Sequence, residues 1–187
     1  RDSSQLPANP SQFPAGSPFM NRETASEANP VELITWNQAN TLLLRHGMSL
    51  PTEAQWEFAC RAGGYSPWSC LKQALARHAN LSDTSGKDRL TRPLEEWNDG
   101  HILHSAVGSF LANAYGFHDM HGNVAEWCAD VFDAANGPRR DGDGLQMEAT
   151  GRLRSHKGGS FNNVAAIARS AYRTGDPPEV TNMALGV

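Results

Sequence analysis

The stretch Gly116-Phe-His-Asp-Met-His-Gly-Asn-Val-Ala-Glu-Trp127 carries the most specific signal in the sequence. It sets Asp119, Asn123 and Glu126 close together around Gly122. Hard oxygen donors on a tight loop, which also turns main-chain carbonyls inward, suit calcium, an ion that takes roughly six to eight oxygen ligands in flexible geometry. His118 and His121 in the same stretch raise a transition metal as the alternative. Spacing alone favours a plainer arrangement, a β-turn whose Asp and Asn accept from nearby main-chain amides. The residues that follow, Val124–Val131, read as a strand.

On the N-terminal side the pattern is helical. Thr35-Trp36-Asn37 offers N-cap chemistry, Ala39, Leu42, Leu43 and His46 share one face, and Gly47 stops the run. A second helix opens at Pro51-Thr52, where Thr52 and Gln55 form a capping box and Glu53 favours the positive helix end. Trp56, Ala59 and Cys60 share its face before Gly63-Gly64. A short helix is expected around Cys70–His78. On the C-terminal side short apolar pieces alternate with turn residues, and Ala106–Phe110, Gly158–Phe161 and Ala168–Arg173 are expected as further strands. Helices early and irregular β structure late make the fold class α+β.

Composition narrows the function classes. The 187 residues suffice for one sizeable core, and the Trp, Phe and Tyr content excludes a disordered chain. The formal charge is −4 with no basic block, which argues against a nucleic-acid partner. No apolar run is long enough for a membrane span. Residues 1–29, which include Pro7, Pro10, Pro14 and Pro18, are expected as a wrapping segment or linker ahead of a domain over 30–187. The chain starts at Arg1 without an apolar leader core, so it is expected to be a piece of a larger polypeptide, and its compartment stays open. Cys60, Cys70 and Cys128 form no CxxC and read as small buried residues.

Several segments together resemble the sulfatase-modifying factor, or formylglycine-generating enzyme-like, domain family. They are Pro30-Val-Glu-Leu-Ile-Thr-Trp-Asn-Gln-Ala39, Leu50-Pro-Thr-Glu-Ala-Gln-Trp-Glu-Phe-Ala59 with Arg61-Ala-Gly-Gly64, Val107-Gly-Ser-Phe110, Asn113-Ala-Tyr-Gly-Phe117, Asp119–Trp127, Lys157-Gly-Gly-Ser-Phe161, Arg169-Ser-Ala-Tyr-Arg173 and Ala184-Leu-Gly-Val187. They occur in the family's order over residues 30–187. The resemblance implies a C-type-lectin-like fold with two helices, short antiparallel strands and much irregular loop. Both ends depart from the family: its opening strand is missing, and its last strand would run past Val187.

The resemblance also implies two structural calcium sites. One falls on the Asp119 and Glu126 side chains with the Gly122 and Val124 carbonyls, the other on the Asn80 and Asp99 side chains with the Leu81 and His101 carbonyls. The family's enzymes oxidise a cysteine with two copper(I)-binding cysteines that follow the Gly-Gly-Ser motif. Here those positions correspond to Asn163 and the neighbourhood of Ala168, and residues 158–170 contain no cysteine. Copper(I) selects soft thiolates, so no copper is expected and no catalytic residue is assigned. The related sulfoxide synthases add an iron site with an HxxxHxE pattern, which is not found among the seven histidines here. Ser160 lacks the Gly-x-Ser-x-Gly context of a hydrolytic nucleophile.

What remains is a surface. Non-catalytic relatives, among them the variable proteins of diversity-generating retroelements, display loops after the same Gly-Gly-Ser motif. The corresponding contact residues here are Phe161, Asn162, Asn163, Ile167, Thr174, Asp176, Glu179, Thr181, Asn182 and Met183, with Arg169, Tyr172 and Arg173 beside them as framework. Aromatic and small polar residues on a rigid scaffold suit an adaptable contact surface. The expected function is a binding domain for a protein or peptide. The alternatives are a metal-dependent oxidoreductase acting on a sulfur-containing substrate, and a structural accessory domain of a multidomain protein.

Overall fold

The computed structural model describes residues 26–87, 93–135, 137–146 and 151–187. The expected wrapping segment therefore lies, over residues 1–25, outside the described residues. The helices form where the capping chemistry puts them. Helix α1 spans Trp36–Arg45 and helix α2 spans Glu53–Arg61. At each start a threonine hydroxyl accepts from the glutamine amide three residues on, and that glutamine's side chain accepts from the threonine amide. The α2 boundary lies at Ala62, whose left-handed φ of 46° ends the helix before Gly63. The short helix expected near Cys70–His78 is a 3-10 helix over Lys72–Arg77.

Strand β1 is Ala125–Val131, β2 is Arg154–Lys157, β3 is Thr174–Asp176 and β4 is Leu185–Gly186. They form one sheet in the order β3-β2-β1-β4. β2 pairs antiparallel with both β1 and β3, whereas β4 runs parallel to β1. The sheet is thus mixed rather than wholly antiparallel.

Three expected strands are turns. Ala106–Phe110 bends through Gly108 at a φ of 75°, with Ser109 donating back to the Ala106 carbonyl. Gly158–Phe161 and Ala168–Arg173 are chains of turns, held by Asn163 to Ser160 and Tyr172 to Arg169 main-chain bonds. The true strands β2 and β3 lie immediately before the first and after the second. Gly158 and Gly159, both at positive φ, turn the chain out of β2.

The alternation of β1 divides the packing between two faces. Ala125 and Trp127 join Ile34, Ala39, Leu50 and Leu185 in the α1-side core. Cys128 joins Trp56, Cys60 and Met120 on the α2 side. That second face also buries charge. Glu53, 2% exposed, accepts from Arg173 at 2.6 Å and Arg139 at 3.1 Å, and from the Ser155 hydroxyl. Burial alone would raise the Glu53 pKa, but the hydrogen bonds from Arg173, Ser155 and Arg139 outweigh it and hold the carboxyl below its ordinary value.

Candidate functional site

Two features converge on the end of β1 where the loop from Met120 enters. The first is the acidic loop. Asp119 and Asn123 adopt left-handed backbone angles, φ 55° and 63°, and Gly122 between them has φ 87°. Side-chain-to-main-chain bonding lets Asp and Asn tolerate that region. Gly122 has a second reason to be glycine: a Cβ there would stand 2.0 Å from the Asn80 carbonyl oxygen. Asn123 secures the loop, its Oδ1 accepting from the Ser105 amide at 2.8 Å and from Asn80 Nδ2 at 3.3 Å.

Asp119 and Glu126 line a common cleft of about 450 Å³ with Val124. Asp119 Oδ2 accepts from the Gly108 amide at 2.7 Å, while its buried Oδ1 has no hydrogen-bond partner among the described residues. Glu126 Oε2 accepts from Trp56 Nε1 at 2.7 Å. Burial, partly offset by the Gly108 amide and the His118 charge, raises the Asp119 pKa. Burial also pushes Glu126 up to about 7; the Trp56 bond opposes this and the Asp119 charge adds to it. Two acids held near one another in a partly dry cleft, one with an unpartnered oxygen, form an oxygen-donor set that fits a calcium ion. Among the described residues no three His, Cys, Asp or Glu side chains converge, so an ion here would also draw on main-chain oxygens, and of the two carbonyl donors that the resemblance implies Val124 lines the cleft.

The second expected set is also brought together, with Asp99 and the His101 carbonyl engaged and Asn80 Oδ1 left over. Asp99 Oδ2 accepts from the Leu81 amide and Oδ1 from the His101 amide, each at 2.9 Å. The His101 carbonyl accepts from the Ser85 hydroxyl at 2.7 Å. Burial, against the opposing His101 and Leu81 bonds and with Asp83 adding to it, pushes the Asp99 pKa up to about 7. Asn80 donates from Nδ2 to the Leu103 carbonyl at 2.9 Å and leaves Oδ1 buried without a partner.

The two histidines of the signature stretch are placed differently, His121 in the core and His118 on the wall of the Asp119 cleft. His121 is buried, with Nδ1 2.8 Å from the Ala168 carbonyl and Nε2 accepting from the Ser69 amide at 2.9 Å. This fixes its tautomer as a donor at Nδ1. His118 Nδ1 lies 2.7 Å from the Phe110 carbonyl.

The second feature is a cleft of about 230 Å³ at the Gly158-Gly159 turn. Asn163, Ile167, Tyr172 and Thr174 line it together with His156 and Lys157 of β2. Asn163 is held rigidly: Oδ1 accepts from the Ser160 amide at 3.0 Å and the Ser160 hydroxyl at 2.9 Å. Lys157 is buried, donating to the Tyr172 carbonyl at 3.1 Å and pairing with Glu57 at 3.4 Å. His156 Nε2 lies 3.0 Å from Asp176 Oδ2 across the strands. Burial lowers the His156 pKa, and Asp176 opposes that shift.

The other expected contact residues fall elsewhere. Phe161 is 1% exposed and packs with Leu103 and Ala184, so its ring supports the surface from beneath rather than forming it. Met183 packs half-buried against the same cluster. Asn162 is half-buried, its amide on the Ser160 hydroxyl. Glu179, Thr181 and Asn182 are exposed but outside the cleft. Sequence reasoning missed His156 and Lys157, although their place just before Gly158-Gly159 marked them as the neighbours of any pocket at that turn.

None of the three cysteines lines this cleft, and all three are free thiols. Burial pushes Cys60 up to about 12 and raises Cys70 and Cys128. Ala168, near the second expected cysteine position, is wholly buried against Gly159.

The sequence profile of the Sulfatase-modifying factor enzyme 1-like domain matches residues 7–187. The chain is 35% identical over 164 residues to the formylglycine-generating enzyme of Thermomonospora curvata, an overlap of 81% of this chain and 52% of that protein. It is 33% identical over 161 residues to inactive C-alpha-formylglycine-generating enzyme 2 of Bos taurus, covering 84% of this chain and 48% of that one. It thus spans about half the length of these relatives. Among solved structures, Treponema denticola variable protein 1 superposes with a TM-score of 0.71 at 25% identity, covering 95% of this chain and 75% of that one. PvdO from Pseudomonas aeruginosa gives a TM-score of 0.71 at 25% identity, covering 88% and 62%.

Proposed function

The chain belongs to the Sulfatase-modifying factor enzyme 1-like domain family, and on that footing we propose that it is a non-catalytic binding domain for a protein or peptide, acting within a larger polypeptide. The observation that carries this reading is the cleft at Gly158-Gly159. It is lined by His156, Lys157, Asn163, Ile167, Tyr172 and Thr174, none of which carries a thiol. No thiolate of the kind that selects copper(I) stands here, whereas a small cleft that joins the Ile167 and Tyr172 surfaces to fixed polar groups is what an anchoring side chain needs. The likeness to a variable protein supports the same reading, with the loops after the Gly-Gly-Ser motif as the contact surface.

The proposal includes one structural calcium ion held by Asp119 and Glu126 with the Gly122 and Val124 carbonyls. Bound there, it would supply positive charge to two acids and tie the loop to β1. We place the ion at the first set, where the Asp119 Oδ1 is buried without a partner among the described residues and the Asp119 and Glu126 side chains share an open cleft.

Panning a displayed library of random peptides on the protein tests the binding reading. Enriched peptides should lose binding to a folded Asn163→Arg or Ile167→Asp variant, which fills or charges the cleft. Failure to enrich any peptide, or peptides indifferent to both substitutions, overturns it.

A further inference from the structure

The cleft continues past Tyr172. The same side chain lines a second depression of about 390 Å³, bounded by Arg61, Tyr65, Pro67, Arg169 and Arg173. On a chain of net charge −4, this groove is lined by three arginines and by no carboxylate. The three guanidinium groups are not equivalent. Arg173 is committed to Glu53, to Gln146 at 3.0 Å and to the Asp133 carbonyl at 3.0 Å. Arg61 spends two nitrogens on Glu57 and turns its third toward the Ser66 carbonyl at 3.4 Å.

Arg169 is different. It is exposed, and its one bond among the described residues runs from Nε to the Ala166 carbonyl at 2.8 Å. That bond fixes the stem and leaves the two terminal amino groups as a free fork. Such a fork matches a carboxylate in a way a lysine would not. The ground beside it is firm, because the Pro67 carbonyl accepts both the amide and the hydroxyl of Ser170 at 2.8 Å. Tyr65, 99% exposed, completes the rim. Exposed Tyr and Arg around a preformed groove are the residue types that dominate binding energy at protein interfaces.

We infer that the partner presents an extended acidic segment, one side chain entering the cleft beside Asn163 and a neighbouring Asp or Glu pairing with Arg169 in the groove beyond Tyr172. This rests on the binding reading and adds the charge of the ligand and the place of its acid relative to the anchor. A basic segment would meet the arginines, and a neutral one would leave the Arg169 fork unused. The overall negative charge of the chain repels an acidic peptide elsewhere, so the groove sets the register of binding as well as its strength.

The test sequences the peptides enriched by panning on the wild-type protein and repeats the panning on Arg169→Glu, with Arg152→Glu as a control of equal net charge at an exposed position outside the groove. Wild type should enrich peptides carrying Asp or Glu on one side of a common anchor. Their affinity should fall about tenfold in Arg169→Glu and roughly two- to fivefold in the milder Arg169→Gln, and hold in Arg152→Glu, as pairing of an exposed charge predicts. Thermal melts confirm that each variant is folded. Cleft-dependent peptides without acidic enrichment overturn the acidic partner and leave the binding reading standing. Equal losses in Arg169→Glu and Arg152→Glu overturn it too, because they reduce the effect to overall charge. No enrichment at all overturns both.

Discussion

In protein stripped of divalent cations, Glu126→Gln is expected to raise stability at about pH 8. Burial, with Asp119 adding to it and the Trp56 bond opposing it, moves the Glu126 carboxyl from 4.5 up to about 7. A carboxyl with a raised folded pKa binds its proton more tightly in the native state. Its contribution is therefore whole below about 4.5 and is lost as pH rises through about 7. At about 1.4 kcal/mol per tenfold change in proton affinity, the loss has a ceiling of about 3 kcal/mol. Glu126 is half-buried rather than sealed, and water on its cleft side reduces this to about 1–2 kcal/mol. Glutamine keeps an acceptor for Trp56 Nε1 and carries no charge. At about 2–4 °C per kcal/mol for a chain of this size, the variant should melt roughly 2–8 °C above wild type at about pH 8. Near pH 5 the two should converge, because wild-type Glu126 is then mostly protonated. Saturating calcium should reverse the order. An ion at about a hundred times its Kd adds about 2.7 kcal/mol to wild type, and the variant has lost one of the two carboxylates that would hold it. Calorimetry in chelator and in calcium, at both pH values, makes the measurement. A variant no more stable than wild type in chelator at about pH 8 refutes the electrostatic reasoning, and equal calcium shifts in both proteins refute the ion site.

Three further outcomes are expected. Gly122→Ala should cost at least about 3 kcal/mol, since its Cβ would stand 2.0 Å from the Asn80 carbonyl oxygen at a backbone angle that only glycine adopts freely; an unchanged urea midpoint would contradict this. Glu53→Gln should lose about 3–5 kcal/mol at about pH 7 by stranding Arg173 and Arg139. Because the folded Glu53 pKa lies below its ordinary 4.5, its stabilisation is present above that value and fades as pH falls through the folded one, so wild type and variant should converge in acid urea titrations. Alkylation of the native protein at about pH 8 should modify Cys70 first and spare the buried Cys60, whose thiol is held up at about 12, until the chain unfolds; rapid modification of Cys60 would show that the α2 face opens.

What could be read from sequence was what lies close together in it. Both capping boxes sit within four residues, and the acidic loop places its two carboxylates seven residues apart, so local chemistry determined them. The β2 strand, Arg154-Ser-His-Lys157, contains no apolar residue and fails every alternation test, yet Ser155 and Lys157 are its buried positions. They are buried because α2 faces them with Glu53 and Glu57, about a hundred residues earlier. A strand whose inward face is polar is recognisable only once its partner helix is known. The strand expectation therefore slid onto the apolar residues of the neighbouring turns, Phe161 among them, and with it slid the assignment of Phe161 to the surface. The same dependence governs the groove. Glu57, one turn earlier on α2, already marks Arg61 in sequence, whereas Arg169 and Arg173 look alike until Glu53 is brought to Arg173 from far along the chain and Arg169 is left facing outward. The chain thus uses identical residue types for scaffold and for surface, and it is the acid opposite each that decides which role the side chain takes.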